Sequence, residues 1–183
     1  YRDITKDGLV NGDDMVPIGY PTEPEVLFGF GSSFGYKNFD LGFFFQGATQ
    51  YSFFINSNQI QPFYSNGGRQ TGLLKVIADD YWSETNQNSY AFWPRLSTWR
   101  VGPNNQTSTW WMRNGGFLRL KSVDIGYNIK SLERFKINNA RVYLSGSNLF
   151  LLSNFKLWDV EMRGNGLGYP LQSVYNVGIQ INL

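Results

Sequence analysis

Residues Arg2 to Asp14 read RDITKDGLVNGDD, a run of oxygen-bearing side chains spaced as in a calcium loop. Calcium takes about six to eight oxygen ligands, supplied in such loops at fixed offsets around one sharp turn. Counting from Asp3 as the first position, Thr5 falls third, Asp7 fifth, Gly8 sixth, Leu9 seventh with its carbonyl, Asn11 ninth and Asp14 twelfth. Glycine stands where the backbone must turn. Two positions depart from the pattern: Thr5 is a weaker ligand than Asp or Asn, and Asp14 has less bidentate reach than Glu. Helical flanks are missing too, since Val16-Pro17 and Tyr20-Pro21 break the exit. The loop therefore offers calcium six ligands, Asp3, Thr5, Asp7, Leu9, Asn11 and Asp14, but has no helix pair for a sensor to open. The alternative is an Asx-rich polar turn that needs no metal.

Few other chemistries are open. The chain has no His and no Cys, which removes thiol nucleophiles, His-based triads and the usual zinc ligand sets. Asp79, Asp80 and Glu84 form a small acidic group, but nothing places two of them as an acid/base pair, so no catalytic residue is expected. The net charge is +2 and the basic residues are scattered, which gives no signal for a nucleic-acid partner. Aromatic side chains remain. Trp82, Trp93, Trp99, Trp110 and Trp111 lie in or beside one polar stretch, and aromatic faces can stack on sugar rings or peptide side chains. With Arg95 of FWPRL they are the candidate contacts to a substrate or a covering lid. The competing reading packs the indoles into the loop's own core and makes Arg95 an ion-pair partner.

The elements that would carry these residues have a period of two. In LFGFGSSFGY, Phe28, Phe30, Phe34 and Tyr36 share one face, and Gly29, Gly31, Ser33 and Gly35 the other. Across Lys37-Asn38 the scheme repeats, with Phe39, Leu41, Phe43 and Phe45 opposite Asp40, Gly42, Gln46 and Ala48, which reads as a hairpin. Residues 51–116 lose the alternation, apart from GLLKVIADDYW, where Leu73, Leu74, Ile77 and Tyr81 are spaced like one face of a short helix. Alternation returns in FLRLKSVDIGYNI, with a change of phase that predicts a bulge near Ser122. KSLERFKINN turns the chain into ARVYLSGSNLFLL, and SVYNVGIQINL closes it with Tyr175, Val177, Ile179, Ile181 and Leu183 on one side.

The face opposite the apolar stripe is rich in Gly, Ser, Asn and Gln rather than Lys and Glu. Strand-length apolar stripes edged by Tyr and Trp, joined by alternately short and long connections, suit an antiparallel transmembrane β-barrel of outer-membrane type. No run of about 18 apolar residues exists to form a membrane helix. If the last strand ends in the periplasm, strand parity makes residues 1–24 an extracellular Asp/Gly loop and 51–116 a long extracellular loop. Asp40, Asp124, Arg119 and Lys121 then project into the lumen or pair across strands within the wall. Five strands cannot close a barrel, which needs about eight. The second reading is a soluble, calcium-stabilised β-sandwich that binds carbohydrate.

The runs DITKDGLVNGDDMVPIG, LFGFGSSFGYKNFDLGFFFQG, YAFWPRL, NGGFLRLKSVDIGYNI, ARVYLSGSNLF and YPLQSVYNVGIQINL resemble, in order and spacing, the C-terminal end of SusC/RagA-type TonB-dependent outer-membrane transporters. NGGFLRLKSVDIGY and RVYLSGSNLF are the more specific pieces. The departures are Thr5, where the family usually has Asn, and Leu183, where a terminal Phe is common. The resemblance implies an all-β fold, with these strands belonging to a barrel of about 22. It also implies an outer-membrane location in a Gram-negative bacterium and a plug outside this chain. Through missing N-terminal parts TonB would drive uptake of glycans or peptides, and a SusD-like surface lipoprotein would cover the mouth.

Overall fold

A computed structural model of the chain describes residues 1–66, 69–132 and 137–182. Two 11-residue strands, β1 (Val26–Tyr36) and β2 (Phe39–Thr49), form the expected hairpin. Lys37 turns it in the left-handed region at φ 54°. The chain then leaves the sheet through β3 (Ser52–Phe54), α1 (Ser57–Ile60), β4 (Ser65–Asn66), β5 (Arg69–Gln70), α2 (Lys75–Asp79), a 3-10 turn at Gly102–Asn105, and β6 (Met112–Asn114). It returns as β7 (Phe117–Leu132) beside β2, followed by β8 (Ile137–Ser153), a 3-10 turn at Val160–Met162, and β9 (Val174–Asn182). The long strands form one antiparallel sheet in the order β1-β2-β7-β8-β9.

Register explains the alternation. Phe30 lies opposite Phe45, and their rings stack with centroids 5.2 Å apart. Phe39 faces Tyr127 at 4.7 Å. With Phe34, Leu41, Ile125, Val142, Leu144, Val177, Ile179 and Ile181 these rings make one apolar face with little protein over it. The other face carries mostly small or polar residues, with Phe44 and Tyr143 among them, and its glycines have a specific use. Gly31 makes room for the Phe44 ring, Gly126 for the Arg141 guanidinium and Gly178 for the Tyr143 ring, each from the neighbouring strand. A side chain at those glycines would overlap the group lying there.

The predicted bulge is present. Against β2, Ser122 pairs with Phe44 and Leu120 with Phe45, which leaves Lys121 as the extra residue; against β8 the extra residue is on β8, where Asn148 and Leu149 lie opposite Lys121. It is Lys121 that changes which parity of β7 faces the apolar side. The connection between β7 and β8 is shorter than the 130–139 estimate, because the ladder runs on to a Leu132–Ile137 pair. Glu133 to Lys136 of that turn, and Leu183 of the terminal stripe, lie outside the described residues.

The buried core sits off the sheet. Tyr51, Phe53, Ile55, Ile60, Ile77, Phe92, Trp93 and Trp111 from the long excursion pack with Phe155 and Val160 from the connection before β9. Residues 51–116, which lack periodicity, are thus a small folded cap, because scattered apolar residues in short irregular pieces can meet without sharing a stripe. Helix α2 supplies Ile77, fully buried, with Leu74 and Tyr81 packed nearby. Leu73 does not join that face: the helix begins only at Lys75, and Leu73 is exposed before it. Among the described residues no helix is long and apolar enough to cross a membrane, which says nothing about crossing by strands.

Candidate functional site

Two ionic clusters stand on the polar face of the sheet. In the first, Arg141 on β8 donates from Nε to both carboxylate oxygens of Asp40 on β2 at 3.1 Å. Its Nη2 also pairs with Asp40 and with Asp124 on β7. Asn128 Nδ2 donates to the same Asp40 carboxylate at 2.8 Å, and the Tyr143 ring lies 5.3 Å from the guanidinium. One arginine on a third strand thereby pairs with two carboxylates, so Asp40 and Asp124 are cross-strand partners. The second cluster is at the other end of β7. Arg119, 3% exposed, donates to Asp159 and Glu161 at the 3-10 turn before β9, with Lys121 3.7 Å from Glu161. A buried guanidinium needs such partners, since an unpaired buried charge is costly.

The cap places the sequence candidates unequally. Trp93 and Trp111 are 4% and 1% exposed and pack on each other with ring centroids 5.1 Å apart. They are core and present no surface to a ligand. Trp110 is half-buried and donates its indole N–H to the Phe92 carbonyl at 3.3 Å. Trp82 is half-buried beside the Tyr81–Trp93 bridge. Trp99 alone of the set is open, 80% exposed. Arg95 pairs with Glu84 at 3.1 Å. The acidic group is likewise dispersed: Asp79 pairs with Lys75, and Asp80 Oδ2 accepts the Phe92 N–H at 2.9 Å.

The opening loop is closed by its own carboxylates. Asp14 accepts the N–H groups of Ile4 at 2.7 Å, Thr5 at 3.1 Å and Asn11 at 2.9 Å. Those backbone bonds, Asn11 first, hold its carboxyl below its ordinary value. Asp3 accepts the N–H of Gly8 at 2.9 Å, and Asp7 that of Leu9 at 2.8 Å. Gly8 takes the left-handed φ of 86° that the sharp turn requires. Asn11 caps the 3-10 turn Gly12–Asp14 as half of a capping box. The donor set is the hard-oxygen type that calcium takes. Among the described residues, however, no three Asp or Glu side chains stand close enough together to hold a metal in this geometry.

A third contact ties this loop to the cap. Arg163 makes a two-armed pair with Glu23, at 2.6 and 2.8 Å, and lies 6.0 Å from the Tyr51 ring. The pair pulls the Glu23 carboxyl below its ordinary value and raises Arg163, whereas burial raises Tyr51. Burial also lowers Arg113, whose guanidinium donates to the Trp110 and Met112 carbonyls.

A five-stranded sheet with one uncovered apolar face, one polar face and a loop cap at one end is a piece of barrel wall. No protein-family model matches the chain. It is 35% identical over 187 aligned positions to TonB-dependent receptor P26 of Formosa agariphila, covering 97% of this chain and 18% of that protein. The chain belongs to the TonB-dependent receptors. This receptor segment is also 25% identical over 186 positions to TonB-dependent receptor SusC of Bacteroides thetaiotaomicron, covering 99% of the segment and 17% of SusC. Solved structures of the RagAB peptide importer share its fold. The open-open state superposes with a TM-score of 0.69 at 24% identity, over 96% of the segment and 19% of the matched chain. The closed-closed state gives 0.68 at 23% identity. The segment therefore spans less than a fifth of the length of the proteins it matches.

Sequence reasoning missed Arg141, Arg163, Glu23, Asp159 and Glu161. Arg141 was within reach, since its parity on β8 puts it on the same face as Asp124 and Asp40. Arg163 and Glu23 are 140 residues apart on irregular loops, and no local pattern links them.

Proposed function

We propose that this segment is part of the wall and the extracellular crown of an outer-membrane importer. TonB, acting through a part of the protein outside this chain, would drive uptake of glycans or peptides beneath a SusD-like surface lipoprotein. The observation that carries this reading is the uncovered apolar face of the long sheet: in water it would drive aggregation, whereas in lipid it is the outer surface of a wall. The same observation weighs against a soluble β-sandwich, in which a second sheet would cover that face. Residues 1–24 and the cap of 51–116 lie at the outer mouth on this reading, with the two short turns in the periplasm. The receptor relatives and the ion-paired carboxylates support transport without catalysis. Membrane fractionation tests the proposal: the full-length protein should stay in the outer-membrane fraction after carbonate extraction, and uptake of its substrate should stop when TonB is removed. Release by carbonate, or uptake that persists without TonB, overturns it.

Calcium is a second part of the reading. Each loop carboxylate that accepts an N–H keeps lone pairs for a cation, so a modest contraction around Asp3, Asp7, Asn11 and Asp14 would complete a site whose role is to stiffen the loop. Titration of the full-length receptor with terbium should give luminescence sensitised through nearby aromatic rings and abolished by Asp3→Ala; no signal in the wild type removes the ion.

A further inference from the structure

The apolar face has a gap at the cap end of the wall. Phe28, Gly47, Leu118 and Leu152 pair in one row across β1, β2, β7 and β8, and the next row toward the short turns is Phe30, Phe45, Leu120 and Phe150. The second row is filled by large side chains. The first has a glycine among them, and the Phe28 ring lies down over it. Beside this row is an open hollow of about 560 Å³, with Phe28 and Leu152 on its apolar side and Thr49, Asn114, Asn154 and Lys156 on its polar side. Phe28 and Leu152 belong to the face turned away from the lumen, so cargo moving through the barrel does not meet them.

Lys156 is the one charged side chain among the described lining residues. It makes none of the ion pairs found among the described residues, whereas Lys75, Arg95, Arg119, Lys121 and Arg163 each face a carboxylate. Asn114 Oδ1 accepts the Gly116 N–H at 2.7 Å, which leaves its Nδ2 to donate elsewhere. An unanswered ammonium and amide donors thus stand directly against side chains that face hydrocarbon. That is the chemistry of a lipid at the boundary between headgroup and acyl chain.

We propose that this hollow seats one outer-leaflet lipid with a phosphate-bearing headgroup, its acyl chain against Phe28 and Leu152 and its phosphate on Lys156 and the Asn114 and Asn154 amides. A lysine serves phosphate as a point charge, and a charge-assisted hydrogen bond at such a rim is stronger than a neutral one. An uncharged headgroup would leave the ammonium unanswered. The acyl chain restores the contacts that the row loses at Gly47. The assignment rests on the barrel-wall reading above and names what covers one place on its outer rim.

The test is native mass spectrometry of the full-length receptor in detergent, titrated with monophosphoryl lipid A, with the same lipid stripped of its phosphate, and with inorganic phosphate as competitor. The wild type should retain a single lipid A. Lys156→Gln should weaken that retention about fivefold, the size of one lysine–headgroup attraction. Stripping the phosphate should weaken the wild type by the same factor and leave the variant unmoved. Leu152→Asn should weaken the lipid with and without phosphate alike. Lys156 and Leu152 are both exposed, so neither substitution should change the SDS heat-shift of the barrel. Equal retention by wild type and Lys156→Gln, or of the lipid with and without its phosphate, overturns the site. Displacement by inorganic phosphate alone assigns the rim to a free anion and overturns the lipid. Retention of no lipid gives the hollow to a protein occupant and overturns it too. Membrane fractionation reads the importer claim separately, so a receptor that stays in the outer membrane but shows none of these preferences loses the lipid site alone.

Discussion

Arg119 Nη2 lies 2.6 and 2.7 Å from the two carboxylate oxygens of Asp159, a residue 40 positions away on a different connection. With Nε on Glu161 at 2.5 Å, the guanidinium clamps the 3-10 turn Val160–Met162 to the polar face of β7. Val160, fully buried in the cap core, sits on that turn. The clamp thus holds wall and cap together at one point.

Replacing Arg119 should therefore act on the cap rather than on the barrel wall. Arg119→Met leaves two carboxylates facing each other in a half-dry site; removing one partner of a fully buried pair costs about 3–5 kcal/mol, and the partial exposure of Glu161 brings the expected loss below that. Limited proteolysis of the folded receptor should cut faster between residues 154 and 173, with the SDS heat-shift of the barrel nearly unchanged. Arg119→Lys should rescue only in part, because an ammonium cannot reproduce the forked contact.

The two faces of β9 should answer differently to the same charge. Val177 is mid-strand on the uncovered apolar face, and Asn176 beside it faces the other way. Arginine on the lipid side of a barrel costs about 2–4 kcal/mol near the midplane, whereas a lumen position tolerates it. Val177→Arg should lower the yield and stability of refolding into phosphatidylcholine vesicles, and Asn176→Arg should not. Equal effects would contradict the assignment of faces.

Glycines in the first hairpin are not equivalent. A Cβ at Gly42 meets nothing within 4 Å, while at Gly31 and Gly47 it would run into the backbone carbonyls of Phe43 and Phe117. Gly42→Ala should be near neutral. Gly31→Ala and Gly47→Ala should each cost about 1–3 kcal/mol, the range for overpacking where the neighbour is backbone and cannot step aside. Urea unfolding of the refolded barrel separates the three.

Acid should loosen the opening loop. Glu23 is held below its ordinary value of 4.5 by Arg163, and Asp14 below 3.8 by backbone N–H groups. A carboxyl depressed in the folded state contributes stability above its unfolded pKa and loses it as pH falls through the folded one. The loop should therefore stay protected at neutral pH and gain hydrogen exchange at residues 1–25 as pH drops below about 4.5. Glu23→Gln should show the faster exchange already at pH 7, and Asp14→Asn likewise.

Much of the wall was legible because a strand with one lipid face writes its geometry into every second residue. Tyr175 to Ile181 shows it without interruption, Phe28 to Tyr36 with only Ser32 breaking the stripe, and even the Lys121 bulge shows as a slip of phase between Leu120 and Val123. The cap was not legible for the converse reason. Its core assembles Phe53, Ile77, Trp93, Trp111 and Phe155 from pieces with no common period, so the indoles of Trp93 and Trp111 look no different in sequence from that of Trp99. In the Asp/Gly loop Gly8 takes the left-handed turn that the spacing calls for. What the pattern could not show is that its carboxylates already close on backbone N–H groups.

The cap core takes most of its side chains from 51–111, but Phe155 and Val160 arrive on a second connection, separated from the first by two full strands of wall. The crown is thus a composite whose halves are not interchangeable singly. An exchange that moved the long excursion alone would leave behind Phe155, which packs on Phe53, and the Arg119 anchor. On this packing the two connections and the stretch of β7 and β8 between them, residues 51–173, would have to move together.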